Sequence, residues 1–497
     1  MNPGACLRSI VLAAAGMMAV PGGAFAAGAS VADLAERGDF AALRAALSAG
    51  GGVNAPQPDG TTALHWAVVR DDAAAVADLL AAGADARVAN RRGVTPLTLA
   101  CRNGNAAIVS RLLAAGADPD GAGPAGERPL MAASRSGRLD VVRALLARGV
   151  AVNAGLPSSG QTALMWAAAE GHADIVEALL AAGADACREL DSGFTAMLFA
   201  ARGGHRAVVA TLLRAGVGVN EVTSPARTGG KMPRRGTSAL LVAIENGHFE
   251  LAGDLLAQGA DPNDLRSGYT PLHVMTWVRK ADKGEDQGFP EPRVTGPLTS
   301  TQLIRRLVAA GARVNERLVG GPSGGGRIAR KGATPLLLAA ETADIDYMRL
   351  LIELGADPFL PNADGATPLM AAAGLGTRAA GEEAGTEEEA VAAVEYLLGL
   401  GADINGVTAH GDTAMHGAAF ANFPRVVQLL AARGMRLQVW NTRNQRGWTP
   451  LLIAEGHRFG NFKPCFDTIA AIHRELLANG IPPPPPTPVT PVLGYGN

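Results

Sequence analysis

Residues 160–185 set the pattern for most of the chain. Gly160-Gln161 opens a turn, and Thr162 stands before an apolar run, Ala163-Leu164-Met165-Trp166-Ala167-Ala168-Ala169. Gly171-His172 interrupts it. Ile175-Val176 and Leu179-Leu180 then fall at i, i+1, i+4 and i+5, the stripe of a helix with one buried face. Gly183 follows as a stop, because glycine takes the left-handed conformation that ends helices. The stretch predicts a short helix, a tight turn, a second helix and a loop.

The same sentence recurs. The residue opening each first helix falls at Thr62, Thr95, Arg128, Thr162, Thr195, Ser238, Thr270, Thr334, Thr367, Thr413 and Thr449. Successive steps are 33, 33, 34, 33, 43, 32, 64, 33, 46 and 36 residues. A fixed period of this length means stacked units, none of which buries its apolar face alone. The long steps are the same unit carrying insertions. With a degenerate copy from Val31 to Asn54, the count is about twelve.

The unit resembles the ankyrin repeat, marked by Thr-Pro-Leu-His and a following Ala. Thr270-Pro271-Leu272-His273 matches in full, and Thr62-Ala63-Leu64-His65, Thr95-Pro96-Leu97, Thr334-Pro335-Leu336 and Thr367-Pro368-Leu369 match nearly so. Leu79-Leu80-Ala81-Ala82-Gly83-Ala84-Asp85 and Leu255-Leu256-Ala257-Gln258-Gly259-Ala260-Asp261-Pro262-Asn263 carry the second half. The resemblance covers roughly residues 30–480. It implies an all-α solenoid of helix-turn-helix units joined by β-hairpin-like loops. Each residue type has a mechanical use: Thr caps the first helix, Pro fits its first turn and Ala lets helices approach closely.

The expected organisation follows. Residues 1–26 read as a signal peptide, with Arg8 as the positive start, Ile10 to Val20 as the apolar core and Ala24-Phe25-Ala26 as the cleavage signal. That core is too short to span a bilayer. Cys6 precedes it and so is not a lipoprotein cysteine. Residues 27–54 form the N-terminal capping unit and 55–446 the repeats, with insertions at 222–236, 279–299, 316–331 and 374–389. Residues 447–480 form the C-terminal capping unit, ending in a helix near Phe466 to Leu477. Residues 481–497 are a Pro-rich tail. At the third unit, Arg128 stands where Thr would cap, so a weaker helix start is expected.

Composition narrows the function. Aromatics are only 4% of the 497 residues, which suits thin, close-packed helix pairs. The net charge of −2 speaks against a general grip on nucleic acid. After cleavage three cysteines remain, Cys101, Cys187 and Cys465, too scattered for a disulfide framework. His-Glu-x-x-His, Gly-x-Ser-x-Gly and a phosphate-loop Gly-Lys-Ser/Thr are absent. His65, His273 and His416 take the fourth place of the signature, where the family's ring bonds the neighbouring loop. His172, His205 and His248 follow the mid-unit Gly. These addresses are structural, and no metal, cofactor or catalytic residue is expected.

The family resemblance implies a partner met at the hairpin tips and the inner face of the first helices. The tip residue directly precedes the capping Thr, and the first helix ends seven or eight residues beyond it. Phe194 with Arg202, Tyr269 with Trp277, Glu341, Phe420 and Trp448 occupy such places, as do Glu245 and Asn246. Exposed aromatics and Arg are the common anchors of an interface. The insertions 222–236 and 316–331 supply a candidate basic rim: Arg227, Lys231, Arg234, Arg235, Arg327, Arg330 and Lys331. The expectation is a monomeric, non-enzymatic scaffold for a protein partner, exported to a bacterial periplasm, with no membrane insertion after cleavage. The alternatives are a secreted effector binding a host protein, and an enzyme with a site built in the insertions.

Overall fold

The computed structural model describes residues 29–226, 234–280, 292–319, 328–377, 380–381, 384–458, 463–482 and 484–485. The expected signal peptide, most of the Pro-rich tail and the middles of the insertions lie outside the described residues. The chain divides into two bodies, Met1–Pro129 and Leu130–Asn497. Each is a stack of antiparallel helix pairs. The only β pairing among the described residues is two isolated bridges, Gly155 with Thr162 and Val222 with Ser238.

The smaller body holds three pairs: Val31–Arg37 with Phe40–Ser48, Ala63–Val69 with Ala73–Ala81, and Pro96–Asn103 with Ala106–Ala114. Among the described residues the larger holds nine. They begin at Pro129–Ser136 with Leu139–Leu146 and end at Pro450–Ala454 with Phe466–Ala478. The twelve pairs match the repeat count. A further turn of helix, Leu437–Trp440, was not legible in the repeat and buries Trp440 fully.

Local chemistry starts each first helix. The Thr95 hydroxyl accepts the Thr98 N–H at 3.1 Å, and Thr334 accepts the Leu337 N–H at 3.2 Å. Pro96, Pro271, Pro335, Pro368 and Pro450 sit in the first turn, where no N–H is missed. At the Arg128 start the guanidinium instead ties back to the Asp120 carbonyl at 2.7 Å.

The two helices of a unit differ in what they bury. First helices are enclosed almost all round: Ala196, Met197, Leu198, Phe199, Ala200 and Ala201 are all buried. Second helices bury one stripe, such as Ile175, Val176 and Leu179 in Ala173–Ala181. Each fully buried Leu of that stripe contributes about 2 kcal/mol.

Side chains stitch neighbouring layers. Asn153 donates to the Gly183 carbonyl at 3.0 Å and accepts the Asp185 N–H at 2.8 Å. Asn220 and Asn315 repeat this with Gly259 and Asp261, and with Gly355 and Asp357. At the mid-unit turns His172, His205 and His248 present Nε2 to the carbonyls of Arg135, Ala169 and Arg202, at 3.3, 2.9 and 2.9 Å. Each carbonyl lies at the C-terminal end of the preceding first helix, where no partner is available within the helix.

The insertions respect this plan. The two lengthened hairpins keep the usual closing bond, Thr223 N–H to Thr237 carbonyl and Leu318 N–H to Ala333 carbonyl, both at 3.0 Å. The insertion expected over 374–389 ends sooner: Glu387, Glu388 and Glu389 form the first turn of the helix Glu387–Gly399, closed by a Thr386–Glu389 capping box. Carboxylates there favour the positive end of the helix dipole.

Candidate functional site: hairpin tips and first-helix ends

The signature histidines are structural. Nδ1 of His273 lies 2.7 Å from the Thr270 hydroxyl, and Nε2 reaches the Ala333 carbonyl at 3.2 Å. His65 and His416 make the same pair of contacts, to Thr62 and Val94, and to Thr413 and Trp448. Each ring thus joins the start of its own helix to the tip of the next loop. Burial holds all three below the ordinary imidazole value, His273 at about 4. Among the described residues no group of His, Cys, Asp and Glu could hold a metal ion.

The expected anchors fall into three clusters in the larger body. In the first, the Phe194 and Phe199 rings lie 5.1 Å apart, with the Arg202 guanidinium 5.1 and 5.2 Å from their centroids. In the second, Tyr269 and Trp277 pack edge to face, 5.1 Å apart at 82°. Arg234 comes from the preceding unit and lies 5.3 and 5.7 Å from their rings. Both residues are half-buried. The third is Phe420 with Trp448, 6.4 Å apart, with Arg446 at 5.6 Å from the indole.

Three expectations need correction. Phe420 is only 8% exposed and is core, with Trp448 edge-on to it and Arg458 donating to its carbonyl at 2.8 Å. Glu341 is not a separate anchor, because Arg330 holds it in an ion pair with both side chains largely covered. Arg234 is likewise paired, with Glu245. Two charges of the expected rim are therefore spent inside the protein. Arg235 donates to the Pro225 carbonyl at 3.0 Å, and Lys331 is exposed. Arg227, Lys231 and Arg327 lie outside the described residues.

Both ion pairs share one register. Each Arg stands four residues before the capping Ser238 or Thr334, and each Glu seven residues after it. That double offset was available as a signal in the sequence. A second missed feature braces the unit split at 279–299. Arg279 binds Asp344 through two bonds of 2.8 and 3.1 Å and the Ser300 hydroxyl at 2.6 Å. Its guanidinium also lies 5.4 Å from the ring of Tyr347, whose hydroxyl donates to the Leu272 carbonyl at 2.6 Å. Lys280 extends the brace to Glu389 at 2.8 Å.

Family models described as "Ankyrin repeats (3 copies)" match residues 32–122, 64–155, 120–189 and 153–224. The single "Ankyrin repeat" matches 235–266 and 331–363. This chain belongs to the ankyrin-repeat family. Its fold is an all-α solenoid of ankyrin repeats, and such repeats are generally protein-interaction modules.

Relatives include the human "SH3 and multiple ankyrin repeat domains protein 2", 29% identical over 216 residues, which are 37% of this chain and 11% of that protein. The mouse "Ankyrin repeat domain-containing protein 63" is 34% identical over 147 residues, 29% of this chain and 31% of that protein. The ankyrin chain thus spans less than a third of either relative's length. The solved human ASB11 ankyrin repeat domain is 26% identical, with a TM-score of 0.41, covering 47% of this chain and 99% of that one.

Proposed function

We propose that this ankyrin protein is a non-enzymatic scaffold that holds a protein partner against the tips and first-helix ends of its larger body. Tyr269 and Trp277 form the centre of the contact. The observation that carries this reading is their edge-to-face pair beneath Arg234, only half-buried at a hairpin tip and a helix end. In a chain with 4% aromatics, a rigid aromatic pair beside an Arg has the make-up of an interface hot spot. A preformed stack loses little ordering entropy on binding.

The test is capture of partners by immobilised protein, from Ala27 onward, beside the Tyr269→Ala/Trp277→Ala variant. A protein retained by the parent and lost by a variant with a similar unfolding midpoint supports the reading. Equal retention by both refutes it.

Residues 1–26 support export, with the periplasm as the address. Mass spectrometry of native protein beginning at Ala27, in the periplasmic fraction, is the expected result. Recovery from the medium would favour the secreted-effector role. An unprocessed start in the cytoplasm would exclude both.

A further inference from the structure

Several arginines of the first-helix ends and the hairpins already have carboxylate partners. Arg102 pairs with Glu127, Arg234 with Glu245, Arg279 with Asp344 and Arg330 with Glu341. Arg202 differs. Its guanidinium sits almost equidistant from Phe194 and Phe199, at 5.1 and 5.2 Å, and has no ion pair with a carboxylate among the described residues. The site is built on the backbone side too, since His248 Nε2 reaches the Arg202 carbonyl at 2.9 Å and fixes that helix end.

The chemistry of this arrangement is specific. Aromatic faces attract a guanidinium through its plane, while its N–H donors point outward along the edge of that plane. The two rings therefore orient the group and leave its donors available. Arg202 remains exposed as a residue. A planar cation held this way fits a carboxylate, which can accept two parallel bonds.

We propose that Arg202 is the receptor for an Asp or Glu side chain on the bound protein segment. This deepens the scaffold reading and rests on it. The Tyr269–Trp277 pair lies two repeats further along, about 20 Å away for helix layers about 10 Å apart. An extended segment covers that distance in about six residues. The segment recognised carries an acidic residue for Arg202 and, about six positions away, a large apolar residue for Tyr269 and Trp277.

A phage-displayed library of random 12-residue peptides tests this on the full chain. It is panned on the parent, on Arg202→Gln and on Tyr269→Ala/Trp277→Ala. The parent should enrich peptides with Asp or Glu about six positions from a large apolar residue. Arg202→Gln should keep the apolar preference and lose the acidic one. A selected acidic peptide, synthesised, should bind Arg202→Gln at least about tenfold more weakly, the scale of a charge-assisted hydrogen bond. An unchanged unfolding midpoint for Arg202→Gln establishes that the variant is folded. Absence of enrichment on the parent, or equal acidic preference on parent and Arg202→Gln, overturns the proposal. Apolar enrichment that depends on Tyr269 and Trp277 without any acidic preference overturns it and leaves the scaffold reading standing. Peptides that need Arg202 but tolerate loss of both rings support it and overturn the aromatic centre.

Discussion

The His205 ring occupies the space that a side chain on Gly171 would need: a Cβ there would stand 2.5 Å from Nδ1. Gly137 with His172, and Gly204 with His248, repeat the relationship at 2.6 and 2.5 Å. Glycine is thus required twice at this turn, for its φ of +86° and for the neighbouring ring. Gly171→Ala should cost about 2–3 kcal/mol, from left-handed strain and a lost hydrogen bond. In a His205→Ala background the same change should cost about 1 kcal/mol less. Urea unfolding of the four proteins measures the coupling, and simple additivity would refute the steric account.

Acid should loosen the stack through its buried histidines. His273 titrates at about 4 in the folded chain because burial disfavours its charged form, against 6.5 ordinarily. The unfolded chain therefore takes up the proton first as pH falls. The stabilisation is intact above about pH 6.5 and is lost between there and pH 4, reaching about 3 kcal/mol for this residue. His65 and His416 shift the same way. Denaturant midpoints at pH 7, 5.5 and 4 should fall steadily, and His273→Gln should flatten part of the slope.

The brace at Arg279 should be sensitive to losing one partner and tolerant of losing both. Asp344→Ala leaves a covered guanidinium unpaired and also removes the cap on the Tyr347 N–H, held at 3.0 Å. A loss of about 3–5 kcal/mol is expected. Arg279→Met combined with Asp344→Leu should recover most of it, apart from about 1 kcal/mol for the cap. Tyr347→Phe should cost about 1 kcal/mol, because the buried hydrogen bond to the Leu272 carbonyl is lost. Thermal unfolding of these variants decides.

Thiol chemistry separates two cysteines. Burial pushes Cys101 up to about 12 and hides it, whereas Cys187 is exposed. Iodoacetamide at pH 8 should modify Cys187 in the folded protein and reach Cys101 only after denaturation. Peptide mass spectrometry reads the result directly.

The fold was legible because its determinants are local and repeated. Thr caps, first-turn Pro, stripes such as Ile175-Val176 with Leu179, and terminal glycines act within a few residues and recur at one period. The meeting of Tyr269 with Trp277 was legible for the same reason, since the tip residue and the helix end belong to one unit. Phe420 was misplaced because its cover comes from Arg458 and Trp448 in the following unit. Arg279 and Asp344 are 65 positions apart across an insertion, and nothing periodic joins them. Charge on the hairpins was read as free because pairing depends on side-chain direction, although the shared offset of Arg234–Glu245 and Arg330–Glu341 carried the answer.

The histidine contacts run in opposite senses along the larger body. At the turns, His205 and His248 serve carbonyls of the layer before them. At the tips, His273 and His416 serve carbonyls of the layer after them. Trimming the protein from its two ends therefore does different damage. Loss of C-terminal layers strands helix-end carbonyls inside the remaining edge, whereas loss of N-terminal layers strands loop carbonyls at its margin. A nick at either place leaves a distinct scar, so the sturdier fragment is decided by which end is cut.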